Sequence, residues 1–371
     1  FLATRPPVIE RWTGGLDQLY FAHKWIGISV LVFILTHKFV GMDLEGDIIT
    51  RGTAKLAAEV ADFVFPILVV LLSMSFVKRF PKIKFEIPYQ FWRIGHRFIG
   101  IIFVALVFHQ FFVKAPIEAN SVLSAYLQVA ALIGVLSYLY TQFGASFRRR
   151  RYVVTRVERH SAATIVEAQP TGRAIKPRPG NFAFVSVARR GLREPHPFTI
   201  SQAKDDGTLQ FSIRSLGDYT ARLRETVNEG DKILIEGGYG RFDYTNGSDQ
   251  QIWVAGGIGI TPFLAFADSI DETNTYDIQL FYCVRTQEDV VGLDRLKAAA
   301  TRSSKFKYTI FESTTDGRFD ASQIIDRSEL DPSNASFWFC GPAAMRAAIL
   351  SGLKRAGKSP KGVHYEKFDF R

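Results

Sequence analysis

The stretch Phe21–Val40, FAHKWIGISVLVFILTHKFV, constrains this chain more than any other, because it is apolar enough to cross a bilayer and yet carries His23 and His37. A span of about 20 residues through hydrocarbon tolerates ionisable side chains only where they face a partner or serve a function. The two histidines are fourteen residues apart. On a helix that is about 21 Å of rise and a return to within about 40° of the same face. They point one way at two depths.

A second span, Phe98–Val113, supplies a matching pair, with His96 just before it and His109 near its end. Thirteen residues give a rise of about 20 Å but leave the two side chains about 140° apart, so this helix is expected to bend or carry a bulge. Neutral imidazole binds iron well, and an iron clamped between histidines of facing helices is how a bundle carries an electron-transferring haem. A lone histidine in such a helix is commonly an interfacial or core residue. Two pairs at nearly equal vertical spacing point instead to two stacked b-type haems, with His23, His37, His96 and His109 as iron ligands.

Four apolar stretches, roughly 22–41, 60–77, 92–113 and 122–143, are each near the length of a membrane span. The loop between the second and third carries Lys78, Arg79, Lys82 and Lys84, followed by Arg93 and Arg97, and the fourth runs into Arg148, Arg149, Arg150 and Arg151. The positive-inside rule makes these ends cytoplasmic, in a multi-pass protein of the cell (inner) membrane with its C-terminal half in the cytoplasm. His23 and His96 then form the inner pair. Arg93 and Arg97 suit either the carboxylates of an inner haem or a role as inside-positive anchors. With 371 residues, two or three domains are expected, and 47% hydrophobic residues with 32 Phe indicate a membrane portion. The net charge of +10 clusters beside the spans rather than on an aromatic-interleaved basic surface, which argues against nucleic acid. The only cysteines, Cys283 and Cys340, have no disulfide-framework or zinc spacing. The opening FLATRP reads as the end of an apolar helix, so further spans are expected upstream.

From Tyr152 the pattern changes to short alternating runs, YVVTRVE, ATIVEAQ, NFAFVSVA, LQFSIRS and DKILIEGGY, which predict about six strands in a small antiparallel barrel. From Gln251 buried strands alternate with amphipathic helices, which predicts a parallel α/β sheet. The expected fold class is a multidomain chain: an α-helical transmembrane bundle over 1–149, an antiparallel β-barrel over 150–249 and an α/β nucleotide-binding domain over 250–371.

Within that last part, VAGGIGITPF ends a strand with Gly256, Gly257 and Gly259 and starts a helix at Thr261 and Pro262. Glycines let backbone approach a pyrophosphate, and the helix start offers free N–H groups. FWFCGPAAM ends another strand in Cys340, Gly341 and Pro342, placing Cys340 toward the same crevice as Gly257. LFYCVRT ends in Arg285 and Thr286, a cation and a hydroxyl suited to a 2′-phosphate. NADPH is therefore the expected nucleotide, with NADH as a possible substitute.

The order HPFTIS (196–201), RSLGDYT (214–220), GGYG (237–240), GGIGITPF (256–263), CGP (340–342) and YEKF (365–368) resembles the ferredoxin-NADP reductase superfamily. Joined to the paired histidines, it resembles the transmembrane NADPH oxidase and ferric reductase family, in a prokaryotic form, over nearly the whole chain. The resemblance implies FAD in the barrel, with His196, Pro197, Phe198 and Thr199 lining isoalloxazine and ribityl and Ser201 close by. It implies that Arg214 and the turn Gly217, Asp218, Tyr219 and Thr220 hold the FAD pyrophosphate. It also implies catalytic places for Cys340 and for a near-terminal aromatic stacked on the flavin, Phe368 by the E-x-F match, with Phe370 as the alternative. One departure is Gly41, which stands where NADPH oxidases carry a further histidine.

The expected activity is an NAD(P)H oxidase or ferric reductase type of electron transfer, from NADPH through FAD and two haems to O2, giving superoxide, or to a ferric chelate. No protein partner is evident. Two other classes stay open: a membrane-tethered flavin reductase without haem, and a channel or transporter whose soluble half senses NAD(P)H.

Overall fold

The structure is a computed structural model that describes residues 4–5, 9, 12–13, 15–40, 52–76, 89–113 and 121–366. The chain divides into two compact units, Phe1–Ser146 and Phe147–Arg371. In the first, helices α1 (Leu16–Val40), α2 (Gly52–Phe76), α3 (Tyr89–Phe112) and α4 (Val122–Leu139) are followed by a π-helical turn, Tyr140–Gly144, and a short α5 (Ala145–Arg148). Four runs, Gln18–Val40, Gly52–Ser75, Phe91–Phe112 and Val122–Gly144, are long and apolar enough to cross a membrane. Leu31 and Ile34 of α1, Leu68 and Leu72 of α2, and Ile99 and Ile102 of α3 pack into one small core. Large side chains face outward, Phe33 at 71% and Phe63 at 72% exposure among them. Such a surface is unstable in water and stable in hydrocarbon.

Helix α2 begins well before the apolar run predicted at 60, because its first turns carry Lys55 and Glu59, paired at 3.7 Å one turn apart. The bulge expected in the helix of His96 and His109 is absent: α3 is α-helical throughout its described length, and the π turn falls at the end of the fourth span. Without unwinding, α3 meets α2 through both rings, His96 at the Ser75 hydroxyl and His109 at the Ala57 carbonyl.

The second unit opens with a closed barrel in the order β1-β2-β5-β4-β3-β6. Its strands are β1 (Arg150–Arg159), β2 (Thr164–Pro170), β3 (Phe182–Val187), β4 (His196–Ala203), β5 (Leu209–Ile213) and β6 (Lys232–Tyr239). Alternate residues point inward, so Tyr152, Val154, Val166, Ala168, Phe211 and Ile235 form its core. Helix α6 (Asp218–Thr226), where the sequence suggested only a turn, adds Tyr219 and Leu223 to that core.

A five-stranded parallel sheet follows in the order β11-β10-β7-β8-β9. Its strands are β7 (Gln250–Gly256), β8 (Asp277–Val284), β9 (Phe306–Glu312), β10 (Ser336–Cys340) and β11 (Gly362–Tyr365), and its helices α7 (Thr261–Ser269), α8 (Leu293–Arg302), α9 (Ala321–Arg327) and α10 (Ala343–Arg355). One layer of Trp253, Phe263, Phe266 and Trp338 covers one face, and Phe281, Phe311, Phe319 and Phe337 cover the other. Strand order runs from β7 toward β9 on one side and toward β11 on the other. The ends of β7 and β10 therefore flank the switch point at which ligands of open α/β sheets collect.

Candidate functional site

At that switch point, β7 ends at Gly256, a tight turn spans Gly257–Ile260, and α7 starts at Thr261 with Pro262 in its first turn. The turn touches the end of β10 backbone to backbone. A Cβ on Gly259 would lie 2.1 Å from the Cys340 carbonyl oxygen, and one on Gly341 would lie 3.0 Å from the Gly256 Cα. Only residues without side chains fit this close approach. At Gly257 the backbone is left-handed, φ +57°, and the Arg214 guanidinium reaches within 3.3 Å of where a Cβ would stand. The arginine expected at one phosphate and the glycine turn expected at another are thus neighbours.

On the barrel side, β4 presents His196, whose ring stacks on Tyr219 at 3.6 Å and 25°, with Phe198 stacked farther out at 6.5 Å. Burial, and after it the negative charge of Glu194, pushes the Tyr219 phenol up, so it stays a neutral donor, and it donates to the Leu192 carbonyl at 3.3 Å. Pro197 pairs with Phe184 of β3, and Thr199 is buried. At the exposed start of α6 the Thr220 hydroxyl accepts from the N–H groups of Leu216 at 2.9 Å and Gly217 at 3.1 Å. The Asp218 carboxylate accepts from Tyr219 N–H at 2.8 Å. Ser201 is fully buried and its hydroxyl donates to the Gln210 carbonyl at 3.0 Å, so it braces β4 from behind.

Cys340 ends β10 beside the glycine turn. Its side chain is fully buried among Trp338, Ala255 and the α7 aromatics, and its carbonyl rather than its thiol meets the glycine turn. Alternation along β10 explains this, because Cys340 shares the inward face of Trp338. Burial, and after it the charge of Glu366, pushes the thiol well up, so it is a poor nucleophile. Glu366 also stands 3.7 Å from a Cβ placed on Gly240, so the chain returns here to the edge of the barrel. Strand β11 is pinned by His364 stacked on Trp338 at 3.9 Å and by the Arg346 guanidinium 3.5 Å over Tyr365. Phe368 and Phe370 lie outside the described residues.

Arg285 stands exposed at the end of β8, its carbonyl accepting from the Thr314 hydroxyl at 2.8 Å. Thr286 caps the following turn through Asp289, with contacts at 3.3 and 3.4 Å. Of the pair expected at a 2′-phosphate, Arg285 is exposed and Thr286 half-buried.

In the helical unit, the rings of His23 and His96 are 6.0 Å apart and nearly perpendicular, at 83°. A metal–imidazole bond of about 2 Å puts two such centroids about 6 Å apart across one iron, so this pair fits a bis-histidine haem. Nδ1 of His96 lies 3.1 Å from the Ser75 hydroxyl, and Trp92 stacks on the ring at 5.1 Å. Nδ1 of His109 lies 3.1 Å from the Ala57 carbonyl of α2. A carbonyl only accepts, so Nδ1 donates here and Nε2 is the nitrogen left to meet an iron. His37 is exposed on α1, beside Lys38, whose amine meets Asp62 at 2.5 Å. The inner pair is brought together directly, whereas the outer pair is divided between an exposed ring and one turned toward α2.

Sequence reasoning also missed Arg295, which joins α8 and α7 to the barrel. Its segment LDRLK reads like any solvated helix face.

A closed antiparallel barrel, a parallel sheet with a glycine-lined crevice at its switch point and four preceding membrane-length helices define an oxidoreductase with flavin- and nicotinamide-nucleotide-binding domains and a membrane-type part. Residues 1–107 match the family described as Ferric reductase like transmembrane component, residues 163–257 the FAD-binding domain family and residues 253–350 the Oxidoreductase NAD-binding domain family. The chain is thus similar, in order, to a ferric reductase like transmembrane component, an FAD-binding domain and an oxidoreductase NAD-binding domain. Toluate 1,2-dioxygenase electron transfer component from Pseudomonas putida is 27% identical over 197 residues, covering 51% of this chain and 58% of that protein. Dual oxidase 2 from Sus scrofa is 26% identical over 278 residues, covering 65% of this chain but only 17% of its own length. A ferredoxin NADP+ reductase from Neisseria gonorrhoeae, solved with bound FAD and NADP, shares the fold at a TM-score of 0.50 and 17% identity, over 59% of this chain and 98% of that one.

Proposed function

We propose that this protein moves electrons across a membrane, from NADPH through FAD and two bis-histidine b-type haems to an acceptor on the opposite face, with O2 ahead of a ferric chelate. The observation that carries the reading is the His23–His96 pair at 6.0 Å on membrane-length helices of a chain that continues into a flavin and nucleotide module. When bound, FAD would take a hydride from NADPH and release electrons singly, and haem would carry them one at a time.

The chain's own residues would divide the work by region, a membrane part over 1–149, a flavin barrel over 150–249 and a nucleotide domain over 250–371. His23 with His96, and His37 with His109, would hold iron. Arg214 and the start of α6 would bind the FAD pyrophosphate, while His196, Pro197, Phe198 and Thr199 line the flavin and Phe368 stacks on it. Gly256, Gly257, Gly259, Thr261, Pro262, Gly341 and Pro342 would seat the nicotinamide nucleotide, with Arg285 at the 2′-phosphate and Thr286 shaping the turn behind it. The basic span ends support a cytoplasmic side for the flavin and nucleotide domains under the positive-inside rule.

The test is the haem-to-FAD ratio of the full chain purified in detergent, read by pyridine haemochrome and flavin release. Two haems per FAD are expected, with a sharp reduced band on anaerobic addition of NADPH. A second reading, a tethered flavin reductase, draws on the exposed position of His37. A haem-free protein that still reduces its flavin would establish it. Superoxide dismutase-sensitive reduction of a dye would favour O2 over a ferric chelate.

A further inference from the structure

We infer that Arg295 is a positioning residue that locks the nucleotide-binding sheet to the flavin-carrying strand and so fixes how a nicotinamide approaches a flavin. What is positioned rests on the function proposed above; the lock itself rests on geometry. Strand β4 carries His196–Thr199 and then breaks register: its ladder to β5 passes from Ile200↔Phe211 to Gln202↔Gln210. Ser201 is the extra residue of this bulge, left without a ladder partner.

Arg295, on α8, fills the gap. Its Nη2 donates to the Ser201 carbonyl at 2.5 Å and its Nη1 to the Gln210 side-chain oxygen at 3.2 Å. Nε and Nη2 also grip the two oxygens of Asp268 at 3.1 and 2.7 Å. Asp268 lies near the far end of α7, the helix that starts at the glycine crevice, and it accepts a further bond from Gln202 at 3.0 Å. The network continues through Gln210 to the buried Glu167 at 3.2 Å and on to Lys204 at 3.1 Å. One planar guanidinium thus holds the bulge, β5 and α7 together, which a point charge on a lysine cannot reproduce. The Arg295 side chain is only 18% exposed, so the pair with Asp268 is poorly screened.

A bulge beside a site aims the residues that precede it. A misplacement of about 1 Å between reacting groups costs on the order of 100-fold in rate. Hydride transfer oxidises the nicotinamide and gives both electrons and the proton to the flavin, and its rate is the quantity that such a lock would govern.

The test uses the full chain with its cofactors. In stopped flow without oxygen, Arg295→Ala is expected to slow flavin reduction by NADPH on the order of 10- to 100-fold, with a larger deuterium isotope effect, while FAD content and the KM for NADPH stay within twofold. Arg295→Lys should recover only part of the rate, and Asp268→Asn, which keeps the shape, should reproduce the slowing if the alanine variant fails to fold. Amide hydrogen exchange over Ile200–Ala203 should rise in Arg295→Ala and Asp268→Asn while the β1–β6 seam stays protected. Unchanged exchange, or unchanged hydride transfer in a folded variant, would overturn the lock. A wild-type protein that takes up no FAD or leaves it oxidised would overturn the functional reading instead, and the exchange measurement would still decide the lock.

Discussion

Adding one methyl group at Gly259 should separate the two loops that make the nucleotide crevice. The new Cβ would come 2.1 Å from the Cys340 carbonyl oxygen, 2.6 Å from its carbonyl carbon and 3.0 Å from the Gly341 nitrogen. Carbon and oxygen in close but tolerable contact stand about 3.3 Å apart, so the overlap is about 1.2 Å. Every atom it meets is backbone, and Cys340 is paired to Ala255 in the sheet, so no rotamer change relieves it. Overpacking of this kind costs about 1–3 kcal/mol, and a rigid backbone partner places Gly259→Ala at the upper end, about 3 kcal/mol. For a unit of about this size, 2–4 °C per kcal/mol converts to a loss of roughly 6–12 °C. Calorimetry on the full chain in detergent should show that fall in the transition that NADPH stabilises, and NADPH binding should weaken at least tenfold. Gly172→Ala is the control, since nothing lies within 4 Å of its added methyl. A Gly259→Ala protein that melts within about 1 °C of wild type and binds NADPH normally would refute the crevice geometry, because on the order of 3 kcal/mol of strain cannot vanish from a packed strand end.

Three further outcomes are expected. Replacing His37 or His109 by Ala should stop electron delivery to the far face while NADPH still reduces the flavin, measured as dye reduction outside oriented vesicles against flavin bleaching; wild-type delivery in both would sink the two-haem path. Arg285→Ala should raise the KM for NADPH about 10-fold or more, the worth of one charge-assisted hydrogen bond, and leave that for NADH nearly unchanged, whereas equal shifts would remove Arg285 from the 2′-phosphate. Burial holds the thiols of Cys283 and Cys340 protonated in the fold and the Tyr282 phenol is pushed up to about 12. The unfolded chain ionises them near about 8.5 and 10. The folded unit then binds more protons than the unfolded one, so its stability should be level below about pH 8 and fall as the pH rises beyond; melting followed from pH 7 to 11 checks this, and a rise would contradict it.

Much of the architecture was legible because its signals are long or strictly periodic. Four apolar runs and five alternating segments can be read with no knowledge of what packs on them, and the strand–glycine–helix junction at 254–263 is visible for the same reason. What failed depended on partners distant in sequence. DYTARLRET is a polar segment after a glycine and looks like a turn, but Leu223 has a barrel to bury against, which makes it a helix. Period two says that Trp338 and Cys340 share a face and is silent on how deep that face lies, so the burial of the Cys340 thiol could not be read from the sequence. The bulge expected between His96 and His109 does not form, because α2 offers each ring a partner on a regular helix, Ser75 to His96 and Ala57 to His109. Arg295 illustrates the limit best, since a bulge in β4 creates its role and nothing in LDRLK records that bulge.

The aromatic layers also give the sheet an optical gauge. Trp253 and Trp338 are sealed, at 0% and 1% exposure, while Trp12 and Trp25 stand open at 85% and 55%. The sealed indoles should emit at shorter wavelength than any indole that meets water, and both sit within one strand of the crevice. With His364 lying flat on Trp338 at 3.9 Å, protonation of that imidazole should quench the Trp338 share of the sealed signal. A fluorimeter could then report on the surroundings of the crevice strands without any label.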